Sequence, residues 1–416
     1  MRLSNFEAAV LKEEYMNTNI FAVLLRGLLI DLTNKPCFIF TEASEKIPER
    51  ALKIEIKPEE NEEAASKIIR AAYENWKKSN PGGGEVLFPS CTALTVNGSC
   101  AALFWAGSDF DSVQKRITKR DDSPAAETKA CAQAVITCAE RSCVVKNKTA
   151  LVTGGAQGIG EEIVRNLVSA GAFVFIADLN IEGARSLTEK INAQESRTAA
   201  FAVEVNVSSE ESVEAMFNTA ARTAGGLDIC ISNAGVLKAG SVLEQSISDF
   251  KFVTDINYTG FFIISKFAGR LLRVQNLCAP SWKTDIIQIN SKSGLEGSNK
   301  NGAYAGGKFG GIGLAASFAM ELVEYGVKVN AVCPGNFLDG PLWSDPEKGL
   351  FVQYLRTGKV PGAKTIADVR ASYESRVPMK RGCTGKDLVR AIFYIVEQEY
   401  ETGQAVPVTG GQIMLH

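Results

Sequence analysis

Residues 153–160, Thr-Gly-Gly-Ala-Gln-Gly-Ile-Gly, leave the backbone few choices. The apolar, β-branched run ALVT (150–153) precedes them, and EEIVRNLVSAG follows with Ile163, Val164, Leu167 and Val168 at helical spacing, so the glycines sit on a strand-to-helix turn. Gly154 and Gly158 can take conformations closed to residues with a Cβ, and Gly160 lets the helix pack tightly on its strand. A pyrophosphate would meet the exposed N–H groups and positive dipole end of that helix. A second buried strand, AFVFIAD (172–178), ends in Asp178, whose carboxylate can accept both ribose hydroxyls of an adenosine and would repel a 2′-phosphate. Together these features predict a dinucleotide-binding βαβ unit that prefers NAD to NADP.

Farther along, Tyr304 and Lys308 lie one helical turn apart in YAGGK. A phenol titrates near about pH 10, so it needs help to accept a proton from an alcohol at neutral pH. An ammonium beside it on the same helix face favours the phenolate and can also hold a nicotinamide ribose. Ser291, at the end of the strand DIIQINS, can donate to a substrate oxygen as charge develops there. Asn257, in DINYTGFFIISKFAG, would position a water between Lys308 and solvent.

From roughly Lys146 to His416 these motifs resemble the short-chain dehydrogenase/reductase family. Its TGxxxGxG turn is met at Thr153, Gly154, Gly158 and Gly160, with Gln157 and Ile159 between them, and its Asn-Ala-Gly element at Asn233, Ala234 and Gly235. The resemblance implies a Rossmann-like doubly wound parallel sheet of α/β class and a catalytic set of Asn257, Ser291, Tyr304 and Lys308. It also implies cofactor contacts at Asn206, Val207, Pro334, Gly335 and Phe337, and a homo-oligomer, dimer or tetramer. Asn206 stands where the family commonly has an aspartate accepting from the adenine amino group, and Ser232 replaces the first asparagine of the usual doublet. In PGNFLD (334–339), Asp339 occupies the place of a threonine; a carboxylate sits badly beside pyrophosphate, so the loop is expected to follow another path. The long segment from Asp339 to Ala371 reads as a lid over substrate.

IIQINSKSG (286–294), YAGGKFGGIGL (304–314), VPMKRGC (377–383) and TGQAVPVTGGQIM (402–414) are similar to the sorbitol-6-phosphate 2-dehydrogenase branch of that family, which implies interconversion of sorbitol 6-phosphate and fructose 6-phosphate with NAD. The substrate phosphate would need cationic donors, and Lys292, Lys380 and Arg381 are the candidates. An enzyme acting on an unphosphorylated polyol or other secondary alcohol is the nearest alternative. A non-catalytic NAD-sensing protein is the alternative from another class, and the intact four-residue set speaks against it.

Composition narrows the field further. A chain of 416 residues, 45% hydrophobic and 22% charged, with a net charge of −2, is ordinary globular material long enough for two domains and carries no basic excess for nucleic acid or anionic membrane. NIFAVLLRGLLIDL (19–32) is too short to span a membrane and carries Arg26 and Asp31, so it is expected to be buried. Ten cysteines without CxxC pairs, several of them in apolar runs, read as reduced core residues of a cytosolic protein. The clusters Cys91 with Cys100, and Cys131, Cys138 with Cys143, are too loosely spaced for a metal site, and the single histidine is His416, so no metal is expected and no His-dependent triad can form.

Residues 1–145 are expected to form a smaller α/β domain ahead of the dehydrogenase at 146–416. They comprise a helical opening (3–15), strands in PCFIFTE and ALKIEIK, and a helix in EENEEAASKIIRAAYENWKK with Ile68, Ile69, Ala72 and Trp76 on one face. SNPGGG (79–84) then forms a loop, EVLFPS, CTALTVNG and CAALFWAG form strands, and 123–142 forms a helix. KKSNPGGG lacks the Gly-Lys-Ser/Thr ending of a phosphate loop. The tail resembles the junction in fusions of class II sugar-phosphate aldolases with short-chain dehydrogenases, but no histidine cluster is present to bind the aldolase metal, which leaves a non-catalytic remnant serving in assembly, or an interaction module.

Overall fold

A computed structural model describes residues 18–44, 46–57, 60–80, 86–96, 99–127, 143–347, 349–356, 358 and 360–414. The expected opening helix at 3–15, residues 81–84 of the glycine-rich loop, residues 128–142 of the expected helix, Cys131, Cys138 and His416 lie outside the described residues.

The first part of the chain runs α1 (Thr18–Thr33), β1 (Phe38–Glu42), β2 (Leu52–Glu55), α2 (Glu62–Ser79), β3 (Val86–Phe88), β4 (Cys91–Val96), β5 (Ser99–Gly107), α3 (Phe110–Lys119) and β6 (Ala125–Glu127). A four-stranded sheet has the order β1-β5-β4-β2, with only the β2/β4 pair parallel. Ala125–Glu127 corrects the expectation of helix from residue 123: these residues pair antiparallel with β3, so a tertiary ladder satisfies their backbone groups.

The second part alternates strand and helix: β7 (Thr149–Thr153), α4 (Gly158–Ser169), β8 (Phe173–Asp178), α5 (Ile181–Glu195), β9 (Ala200–Glu204), α6 (Glu210–Ala224), β10 (Ile229–Ser232), α7 (Ile247–Thr254), α8 (Gly260–Cys278), β11 (Thr284–Ile289), α9 (Gly302–Leu322) and β12 (Val327–Pro334). Short helices α10 (Pro341–Ser344), α11 (Leu350–Arg356) and α12 (Ile366–Ser375) precede α13 (Gly385–Glu397) and β13 (Ala405–Val408). The seven strands form one all-parallel sheet, β13-β12-β11-β10-β7-β8-β9. Every residue of β7, β11 and β12 is buried, as a parallel sheet covered on both faces requires. Ile163, Leu167, Leu187, Leu388 and Ile392 from α4, α5 and α13 pack on one face. Met216, Phe217, Phe261, Leu272 and Ala315 from α6, α8 and α9 pack on the other. Strand order reverses between β7 and β10, which opens a crevice at their carboxyl ends.

The two parts share a core: Phe38, Trp105 and Val113 join the cluster of α6, α8 and α9. At the amino end of β8, Phe173 stacks on Phe110 at 5.5 Å and meets Phe38 edge-on at 5.1 Å. Helix α1 is apolar nearly all round and correspondingly buried. It crosses α8 closely because a Cβ at Gly27 would lie 2.1 Å from the Gln275 carbonyl oxygen. Arg26 enters this interface fully buried: it pairs with Asp228 at 2.8 Å and donates to the Cys37 carbonyl at 2.8 Å and Gln275 Oε1 at 2.7 Å. Asp228 also accepts from Thr149 N–H at 2.8 Å and Trp282 Nε1 at 3.0 Å. Burial pushes its carboxyl up, but Arg26 and Lys148 outweigh that and hold it below the usual range.

Removing Arg26 would break a fully buried pair and leave Asp228 only the charge of Lys148, so Arg26→Leu should destabilise the fold by about 3–5 kcal/mol. The paired change Arg26→Leu with Asp228→Asn should recover part of that loss, because the amide removes the unpaired charge and keeps an oxygen to accept from Thr149 N–H or Trp282 Nε1. A urea midpoint for Arg26→Leu equal to that of the wild type would show the pair to be energetically idle.

Candidate active site

The glycine turn lies at the mouth of the crevice. β7 ends at Thr153, whose Oγ1 accepts from the backbone N–H groups of Asn233 at 3.0 Å and Ala234 at 3.1 Å. Gly154 has a φ of +62°, and Gly160 comes so close to it that a Cβ there would lie 2.0 Å from the Gly154 carbonyl oxygen. Asn233 Nδ2 bridges the carbonyls of Thr153 at 2.9 Å and Gly154 at 3.1 Å, so this side chain splices β10 to the turn. The exposed Gln157 is the N-cap of α4 without a side-chain cap bond, which leaves the first N–H groups of the helix, around Gly158 and Ile159, available to an anion. Asp178 reaches back to the turn: its carboxylate accepts from Ala156 N–H at 3.0 Å and Asn180 N–H at 2.9 Å. Beyond β9, Asn206 Oδ1 already accepts from the Ser208 hydroxyl at 2.7 Å and Ser208 N–H at 3.1 Å, while Val207 is buried against Gly260.

Three elements deliver Asn257, Ser291, Tyr304 and Lys308 to the same edge. Between α7 and α8 the chain makes a π-helical turn, Asp255–Thr259, which carries the buried Asn257. The Asn257 amide donates to and accepts from the Val236 backbone, both at 2.8 Å, pinning the segment after Gly235. Ser291 follows β11 and opens a 3₁₀ turn, Lys292–Gly294. Tyr304 and Lys308 occupy the first two turns of α9. Lys308 is 5% exposed; its ammonium donates to the Ile289 carbonyl at 2.8 Å and lies 5.6 Å from the centre of the Tyr304 ring. A Cβ at Gly235 would be 3.2 Å from Asn257 Oδ1 and 3.8 Å from Lys308 Nζ, which shows how tightly these groups converge. Burial brings the Lys308 ammonium down to about 8. It pushes the Tyr304 phenol up, and a hydrogen bond with Ser291 draws the phenol part of the way back.

The three expected substrate cations have different surroundings. Lys292 is half-buried in the turn after Ser291; burial lowers its pKa, against the pull of Glu296 and with a contribution from the nearby Arg376, a residue the sequence motifs did not single out. Lys380 instead donates to the Ser375 carbonyl at 2.8 Å. Arg381 forms a bidentate pair with Asp387 at 2.6 and 3.0 Å. After Pro334, Gly335 N–H donates to the Val408 carbonyl at 2.9 Å and the Phe337 ring covers Gly340. Asp339 turns to Arg370 on α12 at 2.7 Å. The segment beyond it closes on its own small core, with Trp343 against Phe351, Tyr354 and Tyr373. Among the described residues no group of three or more His, Cys, Asp or Glu could hold a metal ion, and no helix is long and apolar enough to cross a membrane.

The short chain dehydrogenase family model matches residues 148–345, a span that includes the glycine turn, Asn257, Ser291, Tyr304 and Lys308. The chain belongs to that family. It is 32% identical over 271 residues to the sorbitol-6-phosphate 2-dehydrogenase of Escherichia coli, covering 64% of this chain and 99% of that protein. Identity to the meso-2,3-butanediol dehydrogenase of Serratia marcescens is 30% over 254 residues, 58% of this chain and 96% of the relative. Among solved structures, the sorbitol-6-phosphate 2-dehydrogenase of Erwinia amylovora superposes with a TM-score of 0.59 at 35% identity, covering 64% of this chain and all of that one, 100%.

Because a methyl group at position 160 collides with backbone, Gly160→Ala should spread the turn and weaken nicotinamide dinucleotide binding by roughly tenfold or more. Fluorescence titration with NADH checks this, and unchanged affinity would remove the turn from the cofactor site.

Proposed function

We propose that the protein is an NAD-dependent dehydrogenase of a polyol phosphate, interconverting sorbitol 6-phosphate and fructose 6-phosphate. The observation that carries this reading is Lys292, a half-buried cation in the residue after Ser291, with the charge of Arg376 acting on it. Similarity to sorbitol-6-phosphate 2-dehydrogenases supports the choice of substrate. The neutral-alcohol reading is favoured by a different observation, the commitment of Lys380 and Arg381 to other partners, and by similarity to a butanediol dehydrogenase.

The donor set fits the cofactor. The free N–H groups of α4 suit a pyrophosphate, and the Asp178 carboxylate suits an adenosine ribose and opposes a 2′-phosphate. When bound, NAD supplies the hydride acceptor. Tyr304 takes the hydroxyl proton of the substrate, Ser291 donates to the same oxygen, and Lys308 stabilises the phenolate and passes the proton on toward Asn257 and solvent. With its pKa near 8, Lys308 is largely charged at neutral pH, as that role requires. Residues 1–145 serve as a docked, non-catalytic module. Support for this comes from the Arg26 pair and from a sequence with no histidine before residue 416 to ligate an aldolase metal.

Tyr304→Phe should leave NAD affinity nearly intact while lowering turnover by about 10²–10⁴; substantial residual turnover would remove Tyr304 as the base. Asp178→Ala should narrow the preference for NAD over NADP, and equal use of both by the wild type would sink that assignment. Lys292→Met should cost about tenfold to a hundredfold in kcat/KM for the phosphorylated polyol and little for a neutral one. Equal losses on both would make Lys292 structural.

A further inference from the structure

Behind Ser291, between β11 and α9, lies a buried amide pair that none of the assigned roles uses. Asn290 is 3% and Gln288 1% exposed. Asn290 Oδ1 accepts from the Ser291 backbone N–H at 2.8 Å. Its Nδ2 donates to the Lys308 carbonyl at 2.9 Å and to Gln288 Oε1 at 2.7 Å. One side chain therefore ties the backbone of the serine to that of the lysine, using both donor hydrogens and its acceptor. The pair fits only because two neighbours lack a Cβ. At Gly294, in the turn after Ser291, a Cβ would lie 2.2 Å from Asn290 Oδ1 and 3.0 Å from the Lys308 carbonyl oxygen; at Gly311, on α9, it would lie 2.4 Å from Gln288 Nε2. Turn and helix have both given up side-chain volume to this contact.

We propose that Asn290, braced by Gln288, is a positioning residue that sets the distance between Ser291 and the helix carrying Tyr304 and Lys308, and so holds the reacting groups in register. The proposal rests on the catalytic reading of those three residues. A buried amide with every hydrogen-bonding group matched to a partner is directional where apolar packing is not, and a leucine of the same shape would fill the space while releasing all three bonds. Small displacements at a proton-transfer site cost turnover far more than binding.

The test compares Asn290→Leu, Gln288→Met and Tyr304→Phe with the wild type. Cofactor affinity is measured by NADH fluorescence and turnover on sorbitol 6-phosphate. The phenol of Tyr304 is titrated by tyrosinate absorbance, isolated by subtracting the Tyr304→Phe spectrum; that readout needs no substrate. Asn290→Leu should lower kcat by about tenfold to a hundredfold with NADH affinity within about twofold of wild type. Freed from a well-placed Ser291, the phenol should titrate roughly half a pH unit or more higher. Gln288→Met should shift both in the same direction by less. Wild-type kcat and phenol titration in Asn290→Leu would overturn the proposal, as would kcat and cofactor affinity falling together, which marks a general loss of packing. Should Asn290→Leu fail to fold, Gln288→Met decides, and an unchanged kcat and titration there would overturn it. Full activity in Tyr304→Phe would sink the catalytic reading itself. An inert Tyr304→Phe beside a fully active Asn290→Leu would sink only the positioning role.

Discussion

Seven parallel strands end on one edge of the sheet, and the site depends on that shared polarity. β7, β8, β10, β11 and β12 come from distant stretches of chain, yet each finishes beside a segment of the candidate site. Parallel pairing aligns Thr153, Asp178, Ser232, Ile289 and Pro334 near one rim, and the reversal of order between β7 and β10 parts the helices so that a ligand can enter. The opposite rim carries the structural charges: Asp228 before β10, Asp285 in β11 and Lys328 in β12, with Lys328 paired to Asp285 at 3.0 Å. Arg26 reaches this rim from α1, so that helix is anchored at the far end of the sheet from the candidate site.

Two ion pairs show how burial separates fastening from movement. Arg26 and Asp228 have side chains with 0% exposure, and neither can part without leaving a charge in a low-dielectric interior. Arg370 and Asp339 are 39% and 59% exposed, a setting in which a pair is worth about 0–1 kcal/mol. The helical segment after Asp339 is instead held together internally by the rings of Trp343, Tyr354 and Tyr373.

Much of the fold was legible because it rests on local rules. Apolar runs bounded by glycine or acid mark β7 and β8, and the spacing of Ser291, Tyr304 and Lys308 survives as strand, turn and helix. Asp339 pairs with Arg370, a partner the sequence did not name. What stayed hidden depends on tertiary contact. The π-helical turn at Asn257 has no compositional mark. Ala125–Glu127 forms a strand only because β3 offers a partner. Arg26 within NIFAVLLRGLLIDL signalled burial but not Asp228, which lies far along the chain. Asn290 reads in the sequence as one more polar residue at a strand end, and only its three contacts reveal the clamp.

The most direct measurement of the central claim is the appearance of NADH when the purified protein meets NAD with sorbitol 6-phosphate, set against NAD with sorbitol, with the product identified chemically. NADH should form with the phosphorylated polyol at least about tenfold more efficiently than with sorbitol, and fructose 6-phosphate should accumulate in step with it. Equal rates on the two polyols would contradict the phosphate-directed account, and no NADH from either would contradict the polyol dehydrogenase assignment.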